Sequence, residues 1–206
     1  MTRLGSLVLY ATLGAGLSAC GSNGTSTKDP LEFVPLDNDV SGWLVDTAAA
    51  KTPGARAMTA TTESEAVGLI DGGAAPFFKA PFTPKMFLWQ NYFNNSLPAA
   101  PPPDGAYLIL YIWEMPTADQ ASELYGALLQ ESEYSGNWEP TSPLLGTESR
   151  IEDTITAWWI NFHQDVFYVE VMLGPSFGPA STGYAPSNPD LKNEAMRFAQ
   201  AIASKI

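Results

Sequence analysis

Apolar residues at helical spacing predict two helices in the second half of the chain. The first follows Thr117-Ala118-Asp119-Gln120, a capping-box pattern in which Thr117 caps the helix and Gln120 reaches back. The second opens at Asn188-Pro189-Asp190, with asparagine as the cap and proline in the first turn. The apolar stripes are Ala121, Leu124, Tyr125, Leu128 and Leu129 in the first helix, and Leu191, Ala195, Phe198, Ile202 and Ile206 in the second. We expect both stripes to pack into the core.

A third helix is predicted earlier in the chain. Thr62-Glu63-Ser64-Glu65 marks its start, and the apolar positions that follow are Ala66, Val67, Leu69 and Ile70. Two glycines, Gly72-Gly73, end the helix, or it continues with a kink toward Phe78 until Pro81 breaks it.

Aromatic and β-branched runs predict five strands. They are Lys85–Phe93, Ala106–Trp113, Ser149–Thr154, Ala157–His163 and Val166–Leu173. A proline-rich loop separates the first two. Residues 107–113 do not alternate between apolar and polar. This indicates a central strand that is covered on both faces, or one whose outer face is aromatic.

The last two predicted strands form a hairpin. With Gln164-Asp165 as a two-residue turn, His163 pairs with Val166. One face of the hairpin is then apolar and belongs to the core, and it carries Trp158, Ile160, Phe162, Phe167, Val169 and Val171. The other face is mixed and is the candidate accessible surface, and it carries Trp159, Asn161, His163, Tyr168, Glu170 and Met172.

This order of elements predicts an α+β fold class. We expect a single domain over residues 31–206, with an antiparallel β-sheet and two to three packed helices. The segment from Gly174 to Asp190 is a long loop rich in glycine, proline and serine. Loops of that length in a compact domain are often functional or mobile.

The N-terminus, residues 1–19, has the pattern of a lipoprotein signal peptide. Arg3 gives a short positive start, and Leu4 to Leu17 is 14 residues without a charge, below the ~20 that a membrane-spanning helix needs. Leu17-Ser18-Ala19-Cys20 resembles the bacterial lipobox. The resemblance implies cleavage before Cys20, a diacylglycerol on its sulfur and a fatty acyl group such as palmitate on the new amine. An ordinary secretory signal is the alternative, but it would leave one reactive thiol on an exported protein.

Residues 20–30 are predicted to be the lipidated cysteine and a flexible tether of small polar residues. Two or more acyl chains give stable anchoring, so we expect the lipid bilayer to be a partner through acylated Cys20. The expected location is the cell envelope. Gly21, where an aspartate would favour inner-membrane retention, favours the outer membrane if the organism is Gram-negative.

Three segments resemble an uncharacterised bacterial family of exported and lipoprotein domains. They are Gly42-Trp43, Ile70-Asp71-Gly72-Gly73-Ala74, and Met115 with Ala121 and Tyr125. The resemblance covers most of residues 35–206. That family usually has an acidic residue after the alanine, where this chain has Ala75-Pro76. The layout is also similar to the PsbP/Mog1-like sandwich, a likeness that concerns fold and implies no activity.

The charge balance narrows the classes of partner and chemistry. The chain has 22 Asp+Glu against 10 Lys+Arg, a net charge of -12, which disfavours nucleic acid and anionic lipid surfaces. One cysteine and one histidine, Cys20 and His163, are too few for a zinc site. The sequence has no P-loop, dinucleotide fingerprint or Gly-x-Ser-x-Gly elbow. We therefore expect no metal and no cofactor.

Aromatic and acidic side chains supply the candidate functional residues. Trp159, His163 and Tyr168 lie on the mixed face, where they would bind an envelope protein or a glycan, and Asp71 precedes two glycines. Each also has a structural explanation, because tryptophans fill gaps between sheet and helices and Asp71 can hydrogen-bond its own turn. We expect a binding or structural role rather than catalysis. The alternative is a glycan- or peptide-active hydrolase of the envelope that uses paired carboxylates.

Overall fold

Eight antiparallel strands form one continuous sheet in the part of the chain that the structure describes. A computed structural model describes residues 28–47, 57–94, 96–97, 106–154, 157–175 and 189–206. The strands are β1 (Leu44–Val45), β2 (Met58–Ala60), β3 (Met86–Asn94), β4 (Ala106–Glu114), β5 (Glu139–Pro140), β6 (Glu148–Asp153), β7 (Trp158–Gln164) and β8 (Phe167–Pro175). Their order is β1-β3-β4-β8-β7-β6-β5, and β2 pairs with β3 beside β1.

Helices pack on both faces of this sheet. They are α1 (Glu63–Ile70), α2 (Ala75–Phe78), α3 (Ala118–Ala127) and α4 (Pro189–Ala203). A 3₁₀ turn, Asp71–Ala74, joins α1 to α2, which is the kinked continuation toward Phe78 that the sequence allowed. Further 3₁₀ turns are Pro30–Glu32, Leu128–Gln130 and Ser132–Tyr134. The predicted α+β class, an antiparallel sheet with packed helices in one domain, is confirmed.

The predicted start of α1 and the predicted capping box of α3 differ in how completely their hydrogen bonds form. At α1, the Thr62 hydroxyl accepts from the Glu65 backbone N–H at 3.3 Å, and the Glu65 carboxylate accepts from the backbone N–H of Thr61 and Thr62. At α3, Thr117 Oγ1 accepts from the Gln120 N–H at 3.2 Å, but Gln120 Oε1 has no hydrogen-bond partner among the described residues. The α3 box is therefore half formed. The cap predicted at Asn188 lies outside the described residues.

One face of the sheet is covered by α4. Its predicted stripe is buried along its whole length, against the apolar face of β7 and β8. Trp43 packs edge-on against Phe198, with ring centroids 5.8 Å apart, and its Nε1 donates to Glu194 at 3.1 Å. The preceding Gly42 has φ of 84°, and a Cβ there would lie 2.9 Å from the Asn94 amide nitrogen, so this turn requires glycine.

The opposite face is covered by α1, α2 and α3. Phe77 of α2 stacks on Trp113 with ring centroids 3.9 Å apart, and Tyr125 of α3 lies 5.2 Å from the His163 ring. Tyr168 is 0% and His163 is 4% exposed. The expectation of an accessible surface is therefore wrong for these two residues. The physical reason is that periodicity identifies the apolar stripe of α3 but not the sheet face that it covers.

The β7–β8 hairpin forms with a shifted turn. Gln164 pairs with Phe167, so Asp165-Val166 is the turn rather than the predicted Gln164-Asp165. Asp165 has φ of 51°, in the left-handed region that tight hairpin turns need and that aspartate tolerates. The shift moves the register by two positions, so every side chain keeps its predicted face.

β4 lies in the interior of the sheet, as its non-alternating sequence predicts. It pairs with β3 on one side and with β8 on the other. Leu108, Leu110 and Ile112 are buried beneath the α4 side, whereas Tyr107 and Tyr111 on the other face are half-buried. The outer face of this strand is thus aromatic, one of the two arrangements that its non-alternating pattern indicated.

Candidate functional site

A pocket of about 170 Å³ lies between the α1–α2 segment and the sheet. We call it the aromatic pocket. Its lining residues are Ile70, Gly73, Phe77, Tyr111, Tyr134, Trp159, Glu170 and Met172. It combines apolar and aromatic walls with few polar groups, which is the usual composition of small-molecule sites.

Glu170 is the carboxylate among these lining residues. It belongs to β8 and is 1% exposed, and its Oε1 accepts a hydrogen bond from the Tyr168 hydroxyl at 2.8 Å. Burial, together with the charge of Glu170, raises the pKa of Tyr168 well above its ordinary value. The same two causes raise the pKa of Tyr111, which faces Glu170 across the β4–β8 pair. Both phenols are therefore held in their neutral form, and Tyr168 donates to the carboxylate.

Aromatic rings form the walls and hold one another in place. Trp159 stacks on Tyr134 with centroids 5.5 Å apart and an interplanar angle of 15°, and Trp138 lies 6.0 Å from Trp159. Tyr134 also meets Phe77 edge-on at 6.4 Å. The lining rings among these come from α2, the Ser132–Tyr134 turn and β7, so the pocket depends on the tertiary fold. Ring pairs of this geometry limit the motion of each side chain.

A row of polar side chains crosses the sheet beside the pocket. Arg150 of β6 faces Asn161 of β7, Asn161 faces Glu170, and Glu170 faces Tyr111. Side chains at directly paired positions lie on the same face of a sheet and interact. Arg150 is held by its Nη1, which donates to the Tyr125 carbonyl at 2.8 Å. Its guanidinium also lies 4.1 Å from the centre of the Tyr125 ring.

Several buried polar atoms in and beside this row have no hydrogen-bond partner among the described residues. Arg150 Nε and Nη2, both amide atoms of Asn161, and Trp159 Nε1 are buried without a hydrogen-bond partner in the described ranges. Buried polar groups of native proteins are nearly always paired with protein or ordered water. Ordered water commonly satisfies buried polar atoms of this kind.

His163 lies on the same face but does not line the aromatic pocket. Its Nε2 is 4.0 Å from the Glu148 carboxylate. Burial lowers the pKa of His163, and the charge of Glu148 offsets part of that effect. The imidazole is therefore a neutral, buried group packed against Tyr125, and its predicted binding role stays a prediction.

The four site residues predicted in the domain lie at different places relative to the aromatic pocket. Trp159 lines the pocket, and Tyr168 reaches it indirectly through its hydrogen bond to Glu170. Asp71 begins the 3₁₀ turn between two lining residues, Ile70 and Gly73, and its side chain lies outside the described residues. The binding roles of Trp159 and Asp71 stay predictions, although both positions are at the pocket.

Most of the residues that line the aromatic pocket are not among those predicted from the sequence. Glu170 stands out as a single acid within the apolar run from Phe167 to Leu173, and that signal identifies it as a candidate carboxylate. Phe77, Tyr111 and Tyr134 give no comparable signal, because each lies in a different element and looks like a core aromatic residue.

Within the described residues, no helix combines the length and the apolar character that crossing a membrane requires. The same residues bring together no group of three His, Cys, Asp or Glu side chains able to hold a metal ion. The lipobox, Cys20 and the tether up to residue 27 lie outside this part of the chain.

Comparison with known proteins gave no match: no protein-family model, no curated protein and no solved structure matches the chain. The resemblances to bacterial lipoproteins, to the exported-domain family and to the PsbP/Mog1-like sandwich therefore stay predictions. The function of the aromatic pocket has to be argued from its own geometry.

Proposed function

We propose that this chain is a lipid-anchored envelope protein whose domain binds a small ligand in the aromatic pocket. The observation that carries the proposal is Glu170, a buried acid that lines a pocket walled by aromatic rings. Burying a carboxylate costs folding free energy, and an apolar residue of similar size is often more favourable at such a position. We take a buried acid that is kept at the wall of a pocket despite this cost as support for a binding role.

The anchoring part of the proposal is supported by the sequence. Cys20 is the single cysteine of the chain and closes a Leu-Ser-Ala-Cys motif directly after an uncharged stretch. The net charge of -12 disfavours attachment to anionic lipid through the protein surface. Acyl chains on Cys20 supply the attachment instead.

A paired-carboxylate hydrolase is the second candidate function. Ile70 and Gly73 line the same pocket as Glu170, so Asp71 between them is the acid that would complete a pair. Glycosidases place their two carboxyl groups about 5–9.5 Å apart. Release of new reducing ends from cell-wall glycan by the wild type, and its loss in Asp71→Asn, would favour hydrolysis over binding alone.

Gly73→Leu tests the proposed binding by filling the pocket. A Cβ at Gly73 meets nothing closer than the Ile70 side chain at 4.0 Å, so the larger side chain has room to enter the pocket without a backbone clash. We expect saturation-transfer NMR against a panel of small amines, alcohols, sugars and carboxylates to detect at least one class of binder in the wild type. We expect its signal to fall about tenfold or more in Gly73→Leu.

The matched control is Gly68→Leu. Gly68 lies in α1, and a Cβ there has no neighbour within 4 Å, so the same substitution adds a side chain away from the pocket. Gly68→Leu should bind as the wild type does. If no fragment binds the wild type, or if both variants lose binding equally, the aromatic pocket is not the binding site.

A further inference from the structure

The buried charges beside the aromatic pocket oppose one another. Glu170 of β8 and Arg150 of β6 belong to one row of buried side chains, with Asn161 between them. Both charges act on the same phenol, because Glu170 raises the pKa of Tyr168 and Arg150 lowers it. An ion that enters the pocket would meet attraction from one of these charges and repulsion from the other, and it would also lose its hydration. The opposed charges therefore favour an uncharged ligand.

A neutral hydrogen-bond donor belongs to the wall of the pocket. Trp159 lines the pocket, and its Nε1 is buried without a hydrogen-bond partner in the described part of the chain. Ordered water can satisfy a donor of this kind. A ligand oxygen that accepts the same hydrogen bond can take the place of the water without loss of affinity. The indole N–H therefore favours a ligand that carries an oxygen acceptor.

The size and the walls of the pocket limit this ligand to one flat ring. Its volume is about 170 Å³, and an apolar cavity of about 150 Å³ in another protein holds one benzene. Ile70, Phe77 and Met172 line it with apolar surface. A sugar would place several hydroxyl groups against that surface without partners, which is costly. An aromatic ring loses nothing there and gains contacts with the aromatic walls.

We infer, on the basis of the proposed function, that the aromatic pocket binds an uncharged compound of one aromatic ring, whose oxygen accepts a hydrogen bond from Trp159 Nε1. The ring of the ligand lies among the aromatic walls. Trp159 is already fixed by stacking on Tyr134, with centroids 5.5 Å apart, so binding does not have to order the donor.

Benzyl alcohol, benzylamine and benzoate test the charge of the ligand on the full chain at pH 7. The three have one ring and nearly the same size, but benzylamine is a cation and benzoate is an anion. We expect benzyl alcohol to bind the wild type at least about tenfold more tightly than either ion, by titration calorimetry or NMR. In Glu170→Gln the charge of Arg150 is no longer opposed, so benzoate should gain affinity relative to benzyl alcohol. Glu139→Gln removes the same charge from an exposed position on β5 and should leave the ranking unchanged.

Toluene and Trp159→Phe test the hydrogen bond. Toluene has the ring without the oxygen, so the ratio of the benzyl alcohol affinity to the toluene affinity measures what the oxygen contributes. We expect this ratio to fall about fivefold in Trp159→Phe, the usual loss for one neutral hydrogen bond. Trp138→Phe is the matched control and should keep the ratio. Trp138 lies 6.0 Å from Trp159, and its Nε1 already donates to the Tyr134 carbonyl at 2.7 Å.

The outcomes separate this inference from the proposed function. If either ion binds the wild type as tightly as benzyl alcohol, or if the ratio is unchanged in Trp159→Phe, the pocket is a binding site but the inferred ligand is wrong. Binding of sugars alone from the fragment panel, or no gain for benzoate in Glu170→Gln, would also contradict it. If nothing binds in a manner sensitive to Gly73→Leu, the proposed function fails as well. Should a variant not fold, the comparison of the three rings on the wild type still decides.

Discussion

At the scale of single residues, two neighbouring titratable groups, Glu170 and His163, are buried with different partners. Glu170 is buried near two neutral phenols, Tyr111 and Tyr168, and Tyr168 donates to it at 2.8 Å. His163 lies two strand positions from Asn161 on the same face, but the nearest acid, Glu148, is 4.0 Å away and mostly exposed. Burial therefore favours the neutral histidine, whereas Glu170 accepts a hydrogen bond from Tyr168.

The buried histidine predicts a pH dependence of stability. Burial lowers the pKa of His163 in the folded protein, so the unfolded chain takes up the proton first. The stability due to the neutral imidazole is complete above the unfolded pKa of about 6.5 and is lost as pH falls toward the lower folded pKa. We expect the free energy of unfolding, measured in urea, to decrease from pH 7.5 to 5.5 by at most ~1.4 kcal/mol per pH unit.

His163→Gln provides the control for this titration. His163 is the only histidine in the chain, so its removal takes away the one side chain whose ordinary pKa lies in this range. The variant should have a lower free energy of unfolding at pH 7.5 and a nearly flat profile between pH 5.5 and 7.5. A profile as steep as that of the wild type would assign the dependence to carboxyl groups instead.

At the scale of elements, α3 is a helix that the sequence predicts and that covers residues beside the candidate site. Its stripe buries the face of β7 and β8 that carries Tyr168 and His163, and the Tyr125 carbonyl at its end accepts from Arg150. The capping hydroxyl of Thr117 is its one side-chain cap among the described contacts. A stable start of α3 therefore helps to keep the polar row covered.

Thr117→Ala should destabilise the protein by ~1 kcal/mol, the usual loss when an N-cap hydroxyl is removed. The bond that is lost runs from the Gln120 backbone N–H to Thr117 Oγ1 at 3.2 Å. Thr117→Ser keeps an acceptor at the same place and should stay within a few tenths of a kcal/mol of the wild type. Thermal or urea unfolding measures both. Equal losses in the two variants would show that packing of the Thr117 methyl group, not the cap, is responsible.

Elements with a long periodic pattern could be predicted from the sequence, whereas short ones could not. The helices α3 and α4 and the strands β7 and β8 contain enough positions for a period to emerge, and the strands β3 and β4 contain long aromatic and β-branched runs. The strands β1, β2 and β5 span only two or three residues, and no period is visible at that length. They exist because a neighbouring strand supplies backbone partners, which is tertiary information.

The candidate site was predictable only in part for the same reason. Trp159 lies on a recognisable strand, and Asp71 precedes two glycines in a predicted turn. The pocket, however, forms where α2, β4, β7, β8 and the Ser132–Tyr134 turn meet. The pocket forms only because each helix covers a particular face of the sheet. The apolar pattern of a helix does not show which face that is.

At the scale of the whole molecule, the described chain begins beside the end of α4. Lys28 Nζ donates to the Ile206 carbonyl, and Lys205 pairs with Asp39 at 3.3 Å. The tether predicted from Cys20 therefore joins the domain at this end, on the face opposite the aromatic pocket. Residues 21–27 extend to at most ~3.6 Å each, so an anchored domain would stay within about 25 Å of the bilayer with its pocket on the other side of the sheet.

Cys20→Ser should move the protein from the membrane fraction to the soluble fraction and abolish fatty-acid labelling. The physical reason is that acyl chains provide ~0.8 kcal/mol per buried methylene, while an acidic surface of net charge -12 provides no attraction to anionic lipid. Ser22→Ala, two residues along the same tether, should stay labelled and membrane-bound. Retention of Cys20→Ser in the membrane would point to an uncleaved N-terminal segment as the anchor. Because the fold from residue 28 onward makes its own core, the released domain should unfold at the same temperature and bind the same ligand as the anchored one.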